Sequence, residues 1–204
     1  MATLLRMFRR KPAPAPSADR WLVLGLGNPG RDYERSRHNV GFMCVDELAG
    51  RQRIRVSERV AKSLVGRARL DECELILAKP QTMMNLSGLA VKALRAKYAI
   101  GLERMVVIHD ELDLPFGRIR LKKGGSSAGN HGVDSIIASL GTRDFIRLRV
   151  GIGRPTGHGV DYVLGSFTGE EYELLAGIIS RAADAVTRLV ELDLQRAMTD
   201  INKT

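Results

Sequence analysis

Six polar side chains stand where one sequence pattern gives way to another: Asn28, His38, Asn85, Asp110, Asn130 and His131. Each alone reads as a cap, because Asn is a good helix N-cap and Asp in a turn bonds its own backbone. Together they suggest a site, since binding and catalytic groups gather at element ends. The chemistry open to them is narrow. Histidine, with an ordinary pKa near neutrality, can take a proton from water. A carboxylate on its other ring nitrogen fixes the tautomer and stabilises the imidazolium formed. Neutral amides can donate to a carbonyl oxygen that turns negative. These parts suffice for attack of water on an activated ester, with no metal, cofactor or covalent intermediate. The sequence has no H-E-x-x-H, and its two cysteines, Cys44 and Cys73, form no C-x-x-C. A cysteine-based zinc site and a disulfide scaffold are therefore not expected, and a reducing cytosol fits.

Two motifs compete with this reading. Gly25-Leu26-Gly27-Asn28-Pro29-Gly30 is a literal G-x-G-x-x-G after an apolar run. A dinucleotide loop needs a helix to start at its second glycine. Here "RDYERSR" follows, polar all round, so the helix is expected later, near Ser36 or His38, and the glycines read as a strand-end turn. Gly125-Ser126-Ser127-Ala128-Gly129 matches the G-x-S-x-G nucleophile elbow. Its triad would need His158 with Asp134 or Asp144; the alternative is a turn opening a helix at 130.

The elements that must position these residues follow from periodicity. Strands are expected at 21–27, 60–69 paired with 73–79, 105–109, 117–122 and 146–152. Helices are expected at 38–50, 85–99, 130–140 and 170–192. In the first helix Val40, Met43, Cys44 and Leu48 share a face; in the last, Leu174, Leu175, Ile178, Ile179, Ala182, Val186 and Leu189 do. Mixed strand–helix order argues an α/β domain around a central sheet. The last helix is either scaffold or a lid.

The chain has 204 residues, 44% hydrophobic and 27% charged, which reads as one globular domain with no apolar run of membrane-span length. Its net charge is +9. Residues 1–20, with "KPAPAP", read as a basic Ala/Pro-rich flexible tail: an untargeted extension or a short transit peptide. The domain is expected over 21–204. The remaining basic excess points to a polyanionic partner. Arg118, Arg120, Lys122 and Lys123 alternate with Ile119 and Leu121. They read as a phosphate-binding row and as charges protecting an edge strand, and the two roles can hold together.

"GLGNPGRDYERSRHNVGFMCVDEL", "KPQTMMNLSG", "HDELDLPFGRIRLKKGG" and "FIRLRVGIGRP" closely resemble bacterial peptidyl-tRNA hydrolase, in the right order over about residues 21–195. The resemblance implies a single α/β domain, a cytoplasmic monomer with a twisted mixed β-sheet surrounded by α-helices. It implies hydrolysis, without a cofactor, of the ester joining a peptide to the tRNA 3′ end. It makes His38 the general base, Asp110 its orienting carboxylate and Asn28 a contact to the substrate carbonyl region. Asn85 would bind the peptide backbone or ester end, with Met83 and Met84 as an apolar wall or plain core. Tyr33, Lys122 and Arg149 would hold the tRNA. One block departs from the family. "GGSSAGNHG" stands where "GGHGGHNG" is usual, so Asn130 takes the His column and His131 the Asn column. Either His131 makes the usual Asn contact to substrate or a backbone shift lets Asn130 do so. Ser36 stands where Thr is common. A relative that binds RNA without catalysis is the rival reading, but it has no need of an oriented histidine.

Overall fold

The computed structural model describes residues 20–154 and 159–203. The basic tail, apart from Arg20, and His158 lie outside them. Strand β1 (Arg20–Gly25) leads through short 3-10 turns, Arg31–Tyr33 and Arg37–Asn39, into α1 (Val40–Arg51). A meander follows: β2 (Glu58–Val60), β3 (Ser63–Leu70) and β4 (Cys73–Pro80). Then come a 3-10 turn, Met84–Leu86, helix α2 (Ser87–Tyr98), β5 (Met105–Glu111), β6 (Ile119–Lys123), α3 (His131–Leu140) and β7 (Ile146–Gly151). Helices α4 (Gly159–Leu164), α5 (Gly169–Glu191) and α6 (Leu194–Lys203) complete the chain.

The strands form one mixed sheet in the order β2-β3-β4-β1-β5-β7-β6. The centre, β4-β1-β5-β7, is parallel, and the two outer regions are antiparallel. Alternate residues of each central strand face opposite layers. Trp21, Val23, Leu75, Leu77, Val106 and Ile108 pack under α1 and α5. Leu22, Leu24, Ile76, Ala78, Met105 and Val107 pack under α2 and α3. This is the expected α/β architecture, with helices on both faces of the sheet.

Local differences have physical causes. The expected strand 60–69 is broken after Val60, because Ala61 and Lys62 both take positive φ, at 47° and 61°. They make a two-residue hairpin turn without the Asn-Gly that usually marks one. Residue 20 belongs to the domain, since Arg20 pairs with Glu74 at 2.6 Å. In α5 the buried stripe runs through Leu175, Ile178, Ala182, Val186 and Leu189, whereas Leu174 is 63% exposed. The turn at 192–193 then starts the separate helix α6, where Asp193 accepts from the Arg196 N–H at 2.9 Å.

The glycine motif serves packing. A Cβ on Gly25 would lie 2.1 Å from the Gly41 carbonyl oxygen, and one on Gly41 would lie 2.5 Å from backbone atoms of Leu26 and Ile108. Strand β1 and helix α1 thus touch backbone to backbone. Gly25→Ala must push the helix off the strand, and overpacking of this kind costs about 3 kcal/mol. Urea unfolding should show a midpoint lowered to match; an unchanged midpoint would refute the close approach.

Candidate active site

The carboxyl ends of parallel strands and the helix entries beside them are where α/β sheets gather ligands. Here the ends of β1 and β5 are neighbours, with Gly25 in register with Ile108. Asp110 lies near the end of β5, a strand buried over its whole length, and is itself 3% exposed. A carboxylate there needs donors. His38, buried in the turn before α1, supplies one: Nδ1 lies 2.9 Å from Asp110 Oδ1. With Nδ1 as the donor to a carboxylate, Nε2 is the ring nitrogen left to accept a proton.

The turn that carries His38 is clamped on both sides. Arg37 is buried and donates to Ser166 O at 2.7 Å and to Glu171 Oε2 at 2.6 Å. Its guanidinium stacks 4.2 Å from the Tyr162 ring centre. Glu171 also closes a capping box with Thr168 at the start of α5. Asn39 brackets the backbone of Asn28: Asn28 N–H donates to Asn39 Oδ1 at 2.8 Å, and Asn39 Nδ2 donates to Asn28 O at 2.9 Å. Arg37 and Asn39 escaped the sequence reading; their one signal was polarity beside His38 in a segment that must dock on apolar elements.

Asn28 is 4% exposed, and its Oδ1 accepts from the Met84 N–H at 2.7 Å. That bond fixes the amide and leaves Nδ2 as what Asn28 can offer a ligand. It also ties the 84–86 turn to the first loop. Met84 is 4% exposed and belongs to the core beneath α2 and α3, so of its two expected roles it takes core filling. Met83 is 44% exposed, and Asn85 beside it is exposed too. The four residues 28, 83, 84 and 85 are thus one assembly, with Met83 and Asn85 at its surface.

Asn130 is the N-cap of α3, its Oδ1 accepting from Gly132 and Val133 N–H at 3.1 Å each. Its Nδ2 donates to Asp110 Oδ1 at 2.9 Å. His131, the first residue of α3, is exposed. His38, Asp110, Asn130 and His131 line one cavity of about 220 Å³, together with Glu111 and, from α4, Val160 and Val163. The helix beside the site is therefore α4, which is not among the helices expected from periodicity; α5 packs as scaffold against α1 and the sheet.

The glycine run before α3 is held from below. Arg147 is 2% exposed; it donates to Ser126 O at 2.6 Å and to Gly124 O. Burial pushes its guanidinium pKa down. Ser127 Oγ accepts from the Gly129 N–H at 3.3 Å, the bond of a turn, and His38 is engaged with Asp110. His109, next to Asp110 in sequence, is fully buried and donates from Nδ1 to Asp110 O at 2.7 Å. Burial lowers its pKa, so this imidazole is a neutral structural group.

The remaining expected positions lie outside that cavity. Tyr33 is half-buried in the turn 31–33. Arg149 on β7 pairs through Nε with the buried Glu111 at 2.8 Å. On edge strand β6, Arg120 and Arg118 donate to Asn202 O at 2.7 and 3.2 Å, at the carboxyl end of α6. The Asn202 amide pairs with Leu121 N–H and O at 2.8 and 3.0 Å, covering the open edge. Arg118 and Arg120 thus serve the fold, while Lys122 is half-buried and Lys123 is exposed. Among the described residues no group of three or more His, Cys, Asp or Glu could hold a metal ion, and no helix is long and apolar enough to cross a membrane.

Residues 22–204 match the family model described as peptidyl-tRNA hydrolase. The chain is 48% identical over 184 residues to a peptidyl-tRNA hydrolase of Carboxydothermus hydrogenoformans, covering 90% of this chain and 98% of that protein. It is 47% identical to one of Aquifex aeolicus, covering 89% and 96%. A crystal structure of peptidyl-tRNA hydrolase from Acinetobacter baumannii superposes with a TM-score of 0.84 at 37% identity, covering 89% and 94%.

Proposed function

The chain belongs to the peptidyl-tRNA hydrolase family, and on that premise we propose that it cleaves the ester between a peptide, or an N-blocked aminoacyl group, and the 3′ end of tRNA by direct attack of water. The observation that carries this reading is the buried His38 Nδ1–Asp110 Oδ1 contact beside an open cavity. His38 Nε2 takes a proton from water as the oxygen attacks the ester carbonyl. Asp110 holds the Nδ1–H tautomer and offsets the positive charge of the imidazolium. The proton then passes to the departing ribose oxygen, so no metal or cofactor is needed for charge balance.

Asn28 Nδ2 and the exposed Asn85 amide are the donors for the substrate carbonyls. Met83 offers apolar surface to the peptide, and Met84 contributes by placing its backbone N–H on Asn28. This arrangement disfavours a free aminoacyl end. An ammonium next to amide donors keeps its desolvation cost without an acceptor to repay it, whereas an acylated end brings a neutral amide. Tyr33, Lys122 and Arg149 contact the tRNA, and the salt-sensitive part of the affinity resides in the two cations. Glu111 holds the Arg149 side chain through Nε and leaves its terminal nitrogens for phosphate. The enzyme works as a cytoplasmic monomer that returns tRNA to translation.

The test is release of the amino acid from N-acetylated and from free aminoacyl-tRNA by the purified protein in EDTA. Rapid release from the acetylated substrate alone is expected. tRNA binding without release would support the RNA-binding rival instead.

A further inference from the structure

We propose that Asn130 is a positioning residue that holds Asp110 for His38, and that His131 is the member of this pair that meets the substrate; this rests on the roles given above to His38 and Asp110. An asparagine amide has one accepting and one donating end. The accepting end of Asn130 is committed, because Oδ1 takes the N–H groups of Gly132 and Val133. Those are first-turn donors without partners inside the helix. Rotating the amide would set its NH2 against both. The donating end is thereby directed away from α3, where it reaches Asp110 Oδ1 at 2.9 Å and Asp110 O at 3.3 Å.

The oxygen that Asn130 reaches is the one that faces His38 Nδ1. Two donors on one carboxylate oxygen hold Asp110 in place and aim it at the imidazole. They also reduce its pull on the Nδ1 proton, which stays on the ring while Nε2 takes the proton from water. Asn130 is 8% exposed, and a contact to substrate would break the cap or the Asp110 bond. His131 is one residue on, exposed, and on the wall of the same cavity. Other charged or titratable groups nearby are His109 and Glu111 on β5, Arg149 against Glu111, and Arg37 beside His38.

The test uses variants that keep the cap, since Ser and Asp both cap helices well. Asn130→Ser removes the donor to a charged group, so kcat should fall about tenfold while KM stays within about twofold. Asn130→Asp places a second carboxylate beside Asp110, which favours the imidazolium. The His38 ring titration, followed by NMR, and the acid limb of kcat/KM should both move up by about one pH unit. His131→Ala should raise KM and leave the pH profile where it is. If the Asn130 variants raise KM but leave kcat and the His38 titration unchanged, Asn130 touches substrate and the inference falls. If His131→Ala leaves KM unchanged, its assignment falls. The titration needs no turnover. A shifted His38 in a protein inert on N-acetylaminoacyl-tRNA would sustain the coupling and remove the functional reading.

Discussion

His38→Ala is expected to lower kcat on N-acetylaminoacyl-tRNA by about 10³-fold or more, the range a positioned general base supplies. Affinity for tRNA should change little, because the proposed phosphate and 3′-end contacts lie on other elements. The fold should tolerate the change. The turn that carries His38 is anchored by its neighbours, Arg37 through Ser166 and Glu171 and Asn39 through Asn28. Asp110 keeps the Asn130 donor when the imidazole is gone. Single-turnover hydrolysis and tRNA binding on the same preparation make the measurement. Near-normal turnover in the variant would remove His38 from the chemistry and transfer the search to His131, which lines the same cavity.

Asp110→Ala is expected to lower kcat by about 10²–10⁴-fold, with Asp110→Asn intermediate, because the two substitutions remove different things. Alanine removes the acceptor of Nδ1, so neither tautomer nor ring orientation is specified. Asparagine can keep an acceptor where Oδ1 stands, since the Asn130 amide donates to that atom and selects an oxygen there. The ring then keeps its tautomer and loses only the negative charge facing the imidazolium. A hydrogen bond to a charged group contributes about 1.5–3 kcal/mol, which sets a loss of roughly 10- to 100-fold for Asp110→Asn. Equal losses in the two variants would mean that orientation contributes nothing beyond charge. Near-normal rates in Asp110→Ala would overturn the dyad.

The ingredients of the site were legible because their chemistry is intrinsic to residue type. An Asp closing the apolar run 105–109 and a His opening an amphipathic run stand out in any fold. What each amide does was not legible, because an Asn before a helix can cap it, reach a ligand or do neither. The exchange of Asn130 and His131 shows this. Only the direction of the first turn of α3 decides that Asn130 is spent on Gly132, Val133 and Asp110. The same holds for Met83 and Met84, adjacent and identical in type, one 44% and one 4% exposed. The pairing of Arg149 with Glu111 was not legible either, because the two lie on different strands. Helix α4 was missed because six residues are too few to show a period of 3.6.

The sequence by itself determined the class of fold and the reaction it can support. Period-two runs between amphipathic segments specify strands alternating with helices, and apolar residues facing both sides of the central strands require a covered sheet. The residue types present offer an imidazole, a carboxylate and amide donors. Tertiary structure decided which of these meet. His38 and Asp110 are 72 residues apart, and Asp110 and Asn130 are 20 apart. His38 and Asp110 converge because β1 and β5 lie side by side and parallel, so that the loops leaving both strands emerge at one end of the sheet, and the 124–130 segment held by Arg147 carries Asn130 to the same place. No local pattern encodes that adjacency. It comes from which strands pair once the whole apolar surface is buried.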